Sequence, residues 1–433
     1  MPLSVLILAA GKGTRMNSNY PKVLHNVGNI PMIYYSIDLA QKLNATNIGV
    51  VISENAVEIR NFIKRLSKKI DLIVQSKQLG TGHAILSAKK FEKKAGDVII
   101  LYGDCPLISI DSLNNLITAR KKGADLAVLG FVADNPKHYG RMAVDENNNL
   151  KKIIEFKDAT KDELGIKLCN SGVMIANSKI LFSLLNQISN NNSAQEFYLT
   201  DIVYNANKEG LNVQYVNCSE LEAQGVNNRK DLSEVENQFQ VNKRIEALSN
   251  GVTLKDPSST YFSYDTEIGK DTIIEPNVTF GTGVKIKNDV VIKSFSYLEG
   301  CEVKSNVTLG PFARIRPKTI LDEGVKVGNF VEVKQSHLSQ NVKVNHLAYI
   351  GDGKIGENSN IGAGTIFCNY DGYSKNEITI SKDTFVGSNV SLVAPLKIGN
   401  NVVIGAGSTI TNDIQNNELS IGRTRQINKK RKK

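Results

Sequence analysis

An apolar residue recurs at every sixth position between Ile268 and Ile410, with a few single-residue shifts of phase. A small residue, most often glycine, follows many of the repeated residues, as in "IGKD", "VGNF", "IGEN" and "IGAG". This pattern is typical of hexapeptide parallel β-helices, in which each short strand sends one aliphatic side chain to the axis. Because each coil is buried by its neighbours, many consecutive repeats are needed. We therefore predict a left-handed parallel β-helix over residues 251–422.

The repeat consists of five runs that share the period, each shifted in phase from the run before it. One segment, "FCNYDGYSKNE" from Phe367 to Glu377, interrupts it as an excursion from the scaffold. Loops on rigid scaffolds often carry binding residues, so this excursion is a candidate binding segment. The repeat positions are Ile268, Ile274, Phe280, Ile286, Ile292, Leu298, Val303, Leu309, Ile315, Leu321, Val327, Val333, Leu338, Val344, Ile350, Ile355, Ile361, Phe367, Ile380, Val386, Leu392, Ile398, Ile404 and Ile410.

The first half of the chain has a different pattern. Apolar strand-like runs such as "LSVLILAA", "NIGVVIS" and "DVIILYGD" alternate with helical stretches such as "PMIYYSIDLAQKL". This alternation favours βαβ units and a mostly parallel sheet. We predict a Rossmann-like α/β domain over residues 1–228. Ligands of such sheets bind beyond the carboxyl ends of the strands, where "LAAGKGTRM" and "YGDCP" both lie.

A helical pattern joins the two halves. Leu232, Val235, Phe239, Ile245 and Leu248 form a broken apolar stripe at helical spacing. A serine at position 233 and a glutamate three residues later form a possible capping box, and the glycine at 251 is a typical helix end. We interpret residues 229–250 as a linker helix.

Composition excludes several classes of protein. No apolar run approaches the roughly 20 residues of a membrane-spanning helix, so we expect a cytoplasmic protein without membrane insertion. The five cysteines are scattered and form no C-x-x-C pair, which favours free thiols over disulfides or zinc. The net charge of +10 is concentrated in "RTRQINKKRKK", residues 423–433, a basic tail without the interleaved aromatics of a nucleic-acid binder.

The glycine-rich loop "GKGTRM" fits neither of two common phosphate-binding motifs. It lacks the spacing of a P-loop, and Met16 stands where a dinucleotide fingerprint needs a small residue. Its backbone N–H groups can still face an oxyanion, with Gly11 and Gly13 permitting close approach.

The ordered set of motifs resembles one bacterial family. "LAAGKGTRM", "PKVLH", "QLGTGHA", "YGDCPL", "EFKDAT", "GVNNR", "GPFARIRP", "VGNFVEVK", "HLAYIGD", "NIGAGTIFCNYDG" and "VGSN" follow one another over nearly the whole chain. They are similar to those of the bifunctional N-acetylglucosamine-1-phosphate uridyltransferase/glucosamine-1-phosphate acetyltransferases. The resemblance implies acetyl transfer from acetyl-CoA to glucosamine 1-phosphate in the β-helix. It also implies uridylyl transfer from UTP to the product in the first domain, for peptidoglycan and lipopolysaccharide synthesis.

The resemblance assigns the residues of the uridylyl site. Asp104 and Asn227 would hold Mg²⁺, for which hard oxygen ligands are suited. Arg15 and Lys22 would place positive charge at the phosphates, where two anions must meet. The UTP and UDP-sugar contacts implied are Leu8, Ala9, Ala10, Gly11, Arg15, Lys22, Gln75, Gly80, Thr81, Tyr102, Gly103, Gly140, Glu155, Asn170 and Asn227.

The acetyl-transfer site is implied in the same way. Of five histidines, His346 in "HLAYIGD" matches the catalytic base, and histidine is suited to accept a proton near neutral pH. The glucosamine-phosphate contacts implied are Arg316, Lys334, Tyr349 and Asn360. The acetyl-CoA contacts implied are Ala363, Asn369, Tyr370, Ser388, Ala406 and Arg423, of which Asn369 and Tyr370 also adjoin the sugar phosphate.

Two alternatives and one departure accompany this interpretation. The chain could be a single-function sugar-1-phosphate nucleotidyltransferase with a structural β-helix, or a non-catalytic regulatory protein of the same architecture. His346, Lys334 and the excursion oppose the first, and Lys22 and Asp104 oppose the second. The β-helix before "GPFARIRP" is about one coil shorter than the family pattern, and this shortening lies away from the assigned residues. Such β-helix acyltransferases generally form homotrimers, and we expect one here.

Overall fold

A nine-stranded sheet forms the centre of the first half of the chain. The computed structural model describes residues 2–67 and 69–431. The strands of this half are β1 (Leu3–Leu8), β2 (Asn26–Val27), β3 (Ile30–Pro31), β4 (Asn47–Ser53), β5 (Ile70–Gln75), β6 (Asp97–Tyr102), β7 (Leu126–Val132), β8 (Arg141–Val144), β9 (Leu150–Ile154), β10 (Leu168–Asn177) and β11 (Val213–Asn217). The helices are α1 (Ile33–Lys42), α2 (Val57–Leu66), α3 (Thr81–Leu86), α4 (Ile110–Lys121), α5 (Lys161–Leu164), α6 (Ser178–Leu185), α7 (Asp201–Lys208) and α8 (Arg229–Ser249).

The sheet is mostly parallel, as predicted. Its order is β11-β7-β10-β6-β1-β4-β5, with β8 and β9 attached at β10, and β10 runs antiparallel to β6 and β7. Leu6 packs in the core on one face and Ile7 in the core on the other, which is why β1 reads as a continuous apolar run. Leu8 pairs with Tyr102, so the loops that follow β1 and β6 leave the sheet side by side.

Helix α8 occupies the linker segment and begins at Arg229, the first residue of the predicted range. The chain divides into two units at Phe239 and Gln240, inside α8. The predicted capping box is wrong: the helix begins at Arg229, where the Asn228 side chain accepts a hydrogen bond from the Asp231 amide at 2.9 Å. Asparagine is a strong N-cap residue, and Asn228 precedes the serine of the predicted capping box in the sequence.

The apolar stripe of α8 is only partly buried. Phe239 is buried, but Ile245 and Leu248 are 57% and 45% exposed. The predicted end is confirmed. Gly251 has φ +83°, and the Val252 amide donates to the Ala247 carbonyl at 3.0 Å in a Schellman motif.

The second half of the chain is a three-sided prism of short parallel strands. They are β12 (Thr253–Leu254), β13 (Glu267–Ile268), β14 (Ile273–Ile274), β15 (Thr279–Phe280), β16 (Lys285–Ile286), β17 (Val291–Ile292), β18 (Tyr297–Leu298), β19 (Cys301–Val303), β20 (Thr308–Leu309), β21 (Arg314–Ile315), β22 (Thr319–Leu321), β23 (Lys326–Asn329), β24 (Glu332–Lys334), β25 (His337–Leu338), β26 (Lys343–His346), β27 (Tyr349–Gly351), β28 (Gly353–Ile355), β29 (Asn360–Ile361), β30 (Ile366–Cys368), β31 (Ile378–Ile380), β32 (Phe385–Val386), β33 (Ser391–Val393), β34 (Leu396–Ile398), β35 (Val403–Ile404), β36 (Thr409–Ile410) and β37 (Leu419–Ser420).

Each side of the prism is one parallel sheet. The first face is β12-β14-β17-β20-β23-β26-β29-β32-β35-β37, the second is β13-β16-β19-β22-β25-β28-β31-β34, and the third is β15-β18-β21-β24-β27-β30-β33-β36. Every repeat position except the partly buried Ile268 is buried, and successive coils stack like on like, as in the pairing of Ile274 with Ile292. This is the left-handed parallel β-helix predicted from the period of six.

The turns from first-face to third-face strands form one edge of the prism, called here the His346 edge. Backbone hydrogen bonds join its successive coils, for example from the Leu347 amide to the Asn329 carbonyl at 3.0 Å and from the Gly364 amide to the His346 carbonyl at 3.3 Å. The excursion leaves the third face after β30, and the chain rejoins the prism at β31 on the second face, as the interruption of the repeat predicts.

Two further features concern the cysteines and the helices. All five cysteines lie among the described residues and are free thiols. Within residues 2–67 and 69–431, no helix combines the length and the apolar character that a bilayer crossing requires.

Candidate active sites

The first site is a cavity at the carboxyl ends of β1, β5 and β6. Its volume is about 420 Å³. Residues that the resemblance named line it, and they come from four separate segments of the sequence. They are Leu8, Ala9, Ala10, Gly11, Lys22, Gln75, Gly80, Thr81, Tyr102 and Asp104.

The glycine loop after β1 borders this cavity, and its two glycines have different roles. Gly13 has φ +63°, and a Cβ there would stand 2.7 Å from Lys22 Cβ, so only glycine fits. A Cβ at Gly11 would meet no atom of the described residues within 4 Å. Gly13 therefore lets the Lys22 segment pack onto the loop, whereas Gly11 leaves open space beside the cavity.

Charged groups meet at the mouth of the cavity. Lys22 Nζ forms an ion pair with Asp104 Oδ2, and both side chains are largely buried. The Val226 amide donates to the Asp104 carbonyl at 2.9 Å, which places the next residue, Asn227, beside this pair. Arg15 Nη2 in turn donates to Asn227 Oδ1 at 2.9 Å. The fold thus joins the four residues to which the resemblance gave charge and metal binding.

Asp104 and Asn227 have the chemistry of a Mg²⁺ site. One offers a carboxylate and the other an amide oxygen, and Mg²⁺ is held in proteins by few such ligands together with water. Both oxygens already attract cationic groups, Lys22 in one case and Arg15 in the other. Over the described residues, no three His, Cys, Asp or Glu side chains cluster as a metal site. The donor pair fits Mg²⁺.

The opposite end of the cavity presents amide groups. Gln75 is buried, and its Nε2 donates to the Gly80 carbonyl at 3.2 Å and lies 3.1 Å from His83 Nδ1. Gly80 has φ +109°, and a Cβ there would stand 2.6 Å from the Phe197 carbonyl oxygen. These contacts hold the "QLGTG" turn rigidly against the cavity wall.

The residues assigned to the sugar form a second group beside Tyr102. The Asn170 amide donates to the Gly140 carbonyl at 2.9 Å, and Glu155 Oε1 accepts from Thr200 Oγ1 at 2.9 Å. Burial, and then the nearby Asp201, raise the pKa of Glu155. Burial, and next the charge of Glu155, raise the pKa of the Tyr102 hydroxyl, which is therefore a neutral donor.

Sequence reasoning missed several residues of this cavity. Gln78 Nε2 donates to the Ala10 carbonyl and so ties the "QLGTG" turn to the glycine loop. The sequence did contain a signal, because Gln78 is the first residue of the quoted motif "QLGTGHA". The other cavity residues that were not named are Lys12, Val23, Ala84 and Glu196.

The second site lies on the prism, at His346. Its Nδ1 is 2.9 Å from Asn329 Oδ1, and the two residues are paired in adjacent first-face strands, β23 and β26. An amide oxygen only accepts, so Nδ1 carries the ring proton and Nε2 keeps its lone pair. The exposed ring is thus arranged to accept a proton. Asn329 lies within the quoted motif "VGNFVEVK", but no role was assigned to it.

Four residues assigned to acetyl-CoA follow His346 along the His346 edge. Ala363, Ser388, Ala406 and Arg423 occupy successive coils, and all four are at least partly exposed. Four coil steps of about 4.8 Å place Arg423 roughly 19 Å from His346. The small side chains leave a shallow track along the edge, with a cation at its far end.

Positive charge collects at the ends of third-face strands. Arg316 Nη1 donates to Glu332 Oε1 at 2.8 Å. The pKa of Lys334 is lowered mainly by a hydrogen-bond contact with Lys375 of the excursion. The positive charge of Arg316 lowers it to a smaller extent. The three cations form one patch, of which Lys375 was missed in the sequence although it lies in the excursion.

The remaining predicted residues are divided between two faces. Tyr349 lies on the third face, where Asn369 is buried and donates to Asp352 Oδ2. Tyr370 is exposed, and its hydroxyl donates to the Gly372 carbonyl at 2.6 Å. Asn360, in contrast, lies in β29 on the first face, so one chain does not bring it together with the third-face cations.

Comparison with known proteins identifies the family. Residues 5–160 match the MobA-like NTP transferase domain, and residues 265–300 and 377–412 match the bacterial transferase hexapeptide repeats. The bifunctional protein GlmU of Zymomonas mobilis is 43% identical over 99% of this chain and 96% of its own length. The proteins of the same name from Bartonella quintana and a Ruegeria species are each 45% identical, over 98% and 99% of this chain and 95% of their own lengths.

These matches cover both halves of the chain together. A nucleotidyltransferase domain and a transferase hexapeptide domain stand in one polypeptide, and the relatives align with the chain over both halves. The expectation of an enzyme with two transferase domains is confirmed, and neither alternative interpretation is needed. The chain belongs to the bifunctional GlmU family of transferases.

Proposed function

We propose that the chain catalyses two successive steps of UDP-N-acetylglucosamine synthesis. Residues 251–422 transfer an acetyl group from acetyl-CoA to the amine of glucosamine 1-phosphate. Residues 1–228 then transfer a uridylyl group from UTP to the product and release pyrophosphate, and residues 229–250 link the two domains. The observation that carries the proposal is that one chain holds both a cation-rich nucleotide cavity and a histidine poised as a base.

In uridylyl transfer, a phosphate oxygen of the sugar attacks the α-phosphorus of UTP. The new P–O bond forms as the bond to the β-phosphate breaks, and pyrophosphate leaves with the electron pair. Lys22 and Arg15 reduce the repulsion between the two anions, and the amides of the glycine loop face the triphosphate. The buried amide of Gln75 reads the edge of the base, and Glu155 and Asn170 hold the sugar.

Asp104 and Asn227 would hold Mg²⁺ at this site. The ion would supply positive charge for the phosphate oxygens and the leaving pyrophosphate. Lys22 and Arg15 contact the same two side chains, so they would stand beside the phosphates in the complex. The other side chains of this site align the sugar phosphate with UTP.

In acetyl transfer, the free amine of glucosamine 1-phosphate attacks the thioester carbonyl. His346 Nε2 accepts the amine proton as the C–N bond forms, and the imidazolium returns it to the CoA thiolate as the C–S bond breaks. Asn329 keeps the lone pair of Nε2 available by holding the proton on Nδ1. Arg316, Lys334 and Lys375 bind the sugar phosphate, and the His346 edge receives acetyl-CoA.

We also propose a homotrimer. On the His346 edge, the rings of Phe295, Phe312 and Phe330 stack at 4.9 and 5.0 Å, yet they are 54%, 44% and 54% exposed. A row of exposed apolar residues suits burial against a second copy of the chain. The division of the sugar contacts supports this, because Asn360 and Lys334 lie on different faces. A neighbouring first face would bring Asn360 to the third-face cations.

One assay tests both activities. The protein is mixed with glucosamine 1-phosphate, acetyl-CoA, UTP and Mg²⁺, and products are followed by mass spectrometry. Parallel tubes omit acetyl-CoA or supply N-acetylglucosamine 1-phosphate. We expect UDP-N-acetylglucosamine from the unacetylated sugar only when acetyl-CoA is present. Product from the pre-acetylated sugar alone would show an inactive prism, and no product from either sugar would contradict the proposal. The cytoplasm is the proposed location, because it holds both UTP and acetyl-CoA.

A further inference from the structure

Three segments that carry proposed uridylyl residues meet at Arg229. The 3-10 turn Thr14–Met16 holds Arg15, and the 3-10 turn Lys22–Leu24 begins with the lysine paired to Asp104. The third segment is the turn that carries Asn227 into helix α8, of which Arg229 is the first residue. These segments are distant in sequence and must be held together for the four charged and amide groups to meet.

The Arg229 guanidinium contacts the other two segments directly. Its Nε donates to the Met16 carbonyl at 3.3 Å, and its Nη1 lies 3.2 Å from His25 Nδ1. His25 is the residue directly after the second turn, and its backbone amide donates to the Lys22 carbonyl at 3.2 Å. A guanidinium has only donors, so His25 Nδ1 is the acceptor and the ring carries its proton on Nε2.

The surroundings of His25 favour this neutral form. The residue is 8% exposed, and the Tyr20 ring meets it edge-on with centroids 5.5 Å apart. Its Nε2 is buried without a hydrogen-bond partner among the described residues. Burial, and then the positive charge of Arg229, lower the pKa of His25. A protonated ring would lose its acceptor and face a second cation.

We infer that His25 and Arg229 form a positioning pair for uridylyl transfer, which aligns Arg15, Lys22 and Asn227 without touching substrate. The inference rests on the proposed function of the cavity. The pair acts through the backbone. It joins the turn that holds Arg15 and the turn that begins with Lys22 to Arg229, which lies two residues after Asn227. Loss of its hydrogen bond releases these turns from one another while the sheet beneath them keeps its own packing.

The experiment compares three variants of the full-length protein. His25→Leu removes the acceptor with little change in volume, His25→Asn keeps an acceptor near the position of Nδ1, and Arg229→Lys keeps the charge but loses the two-pronged contact. Each protein is assayed for uridylyl transfer and for acetyl transfer. Binding of Mn²⁺ to the UTP complex is measured separately by electron paramagnetic resonance of the free ion.

We expect His25→Leu and Arg229→Lys to lower the uridylyl kcat between about 10- and 100-fold, the range caused by small misplacements of reacting groups. Mn²⁺ should bind several-fold more weakly, and acetyl transfer by the same molecules should stay within about two-fold of wild type. His25→Asn should recover most of both losses. If His25→Leu does not fold, the other two variants decide the question.

Three results would overturn the inference. One is wild-type uridylyl transfer and Mn²⁺ binding in His25→Leu or Arg229→Lys. Another is an equal loss in His25→Asn and His25→Leu, since the acceptor would then have no role. The third is a parallel fall of both activities, which would indicate a purely structural role. Failure of the proposed function is distinct from all three, because the wild-type protein itself would then form no UDP-sugar.

Discussion

Asn329 Oδ1 accepts a hydrogen bond from His346 Nδ1 at 2.9 Å across two adjacent coils of the prism. The two residues are 17 positions apart, which is one coil. A base that is oriented by a third group is the usual arrangement for general base catalysis. Here the orienting group is a neutral amide, so it fixes the tautomer of the ring without adding charge.

The contact between Asn329 and His346 predicts a large loss of acetyl transfer when His346 is replaced and a smaller loss when Asn329 is replaced. His346→Ala should reduce acetyl transfer by about 100-fold or more, because it removes the proposed base. Asn329→Leu should reduce it by about 10-fold, the kinetic equivalent of one hydrogen bond of about 1.4 kcal/mol. Uridylyl transfer from pre-acetylated sugar, measured on the same proteins, should be unchanged. Equal activity of Asn329→Leu and wild type would contradict the proposed orientation of the ring.

The ion pair of Lys22 and Asp104 predicts the opposite pattern, in which uridylyl transfer is lost and acetyl transfer is retained. Asp104→Asn should lower uridylyl transfer by about 100-fold or more, because several kcal/mol of charge stabilisation by Mg²⁺ would be lost. Acetyl transfer by the variant serves as the control for folding of the prism. Raising the Mg²⁺ concentration should restore part of the lost rate, and a rate that is independent of Mg²⁺ in both proteins would oppose the metal assignment.

The two glycines of the loop predict different losses. Gly13→Ala should destabilise the N-terminal unit by about 1–2 kcal/mol, because its positive φ is unfavourable for alanine, and the added Cβ would also collide with Lys22. Gly11→Ala should leave the unfolding midpoint unchanged, since its Cβ meets no described atom, but weaken UTP binding. Thermal unfolding and UTP titration calorimetry check this pair. Equal stability of the two variants would contradict the role of Gly13.

The exposed phenylalanine row predicts the basis of assembly. Phe312→Asp should convert the proposed trimer to monomers, because it places a charge among stacked rings, and light scattering would measure the change. Acetyl transfer should fall, while uridylyl transfer should be retained. Ile320→Asp is the matched control, as this exposed residue lies on the second face and outside the row. Dissociation by both variants, or by neither, would place the interface elsewhere.

The lowered pKa of His25 predicts how stability depends on pH. A histidine whose pKa is lower in the folded state contributes stability above its unfolded pKa of about 6.5, and this stability is lost as the pH falls through the folded value. The wild-type unfolding midpoint should therefore drop between about pH 7.5 and pH 5.5 by more than that of His25→Asn. Identical slopes in thermal unfolding would show that His25 does not titrate differently in the two states.

Local pattern was sufficient for the architecture of the prism. Each repeat position needs only its own coil and the next to be buried, so the period of six identifies the fold and nearly all of its core. The interruption at Phe367 likewise marks the excursion. Even the partnership of Asn329 with His346 was accessible, because residues one coil apart are neighbours in such a helix.

The nucleotide site depends on contacts that no local pattern contains. Arg15 meets Asn227 across 212 residues, and His25 meets Arg229 across 204. Motifs predicted that some of these residues matter, but not which of them touch. The predicted capping box at Ser233 was wrong, because Asn228 caps the helix ahead of it. The exposure of Ile245 likewise depends on what packs nearby, which the helical spacing does not show. Sequence alone determined the two folds and the residue types at each site. Tertiary structure decided their partners, because side-chain pairing across distant segments follows from how the strands and turns pack.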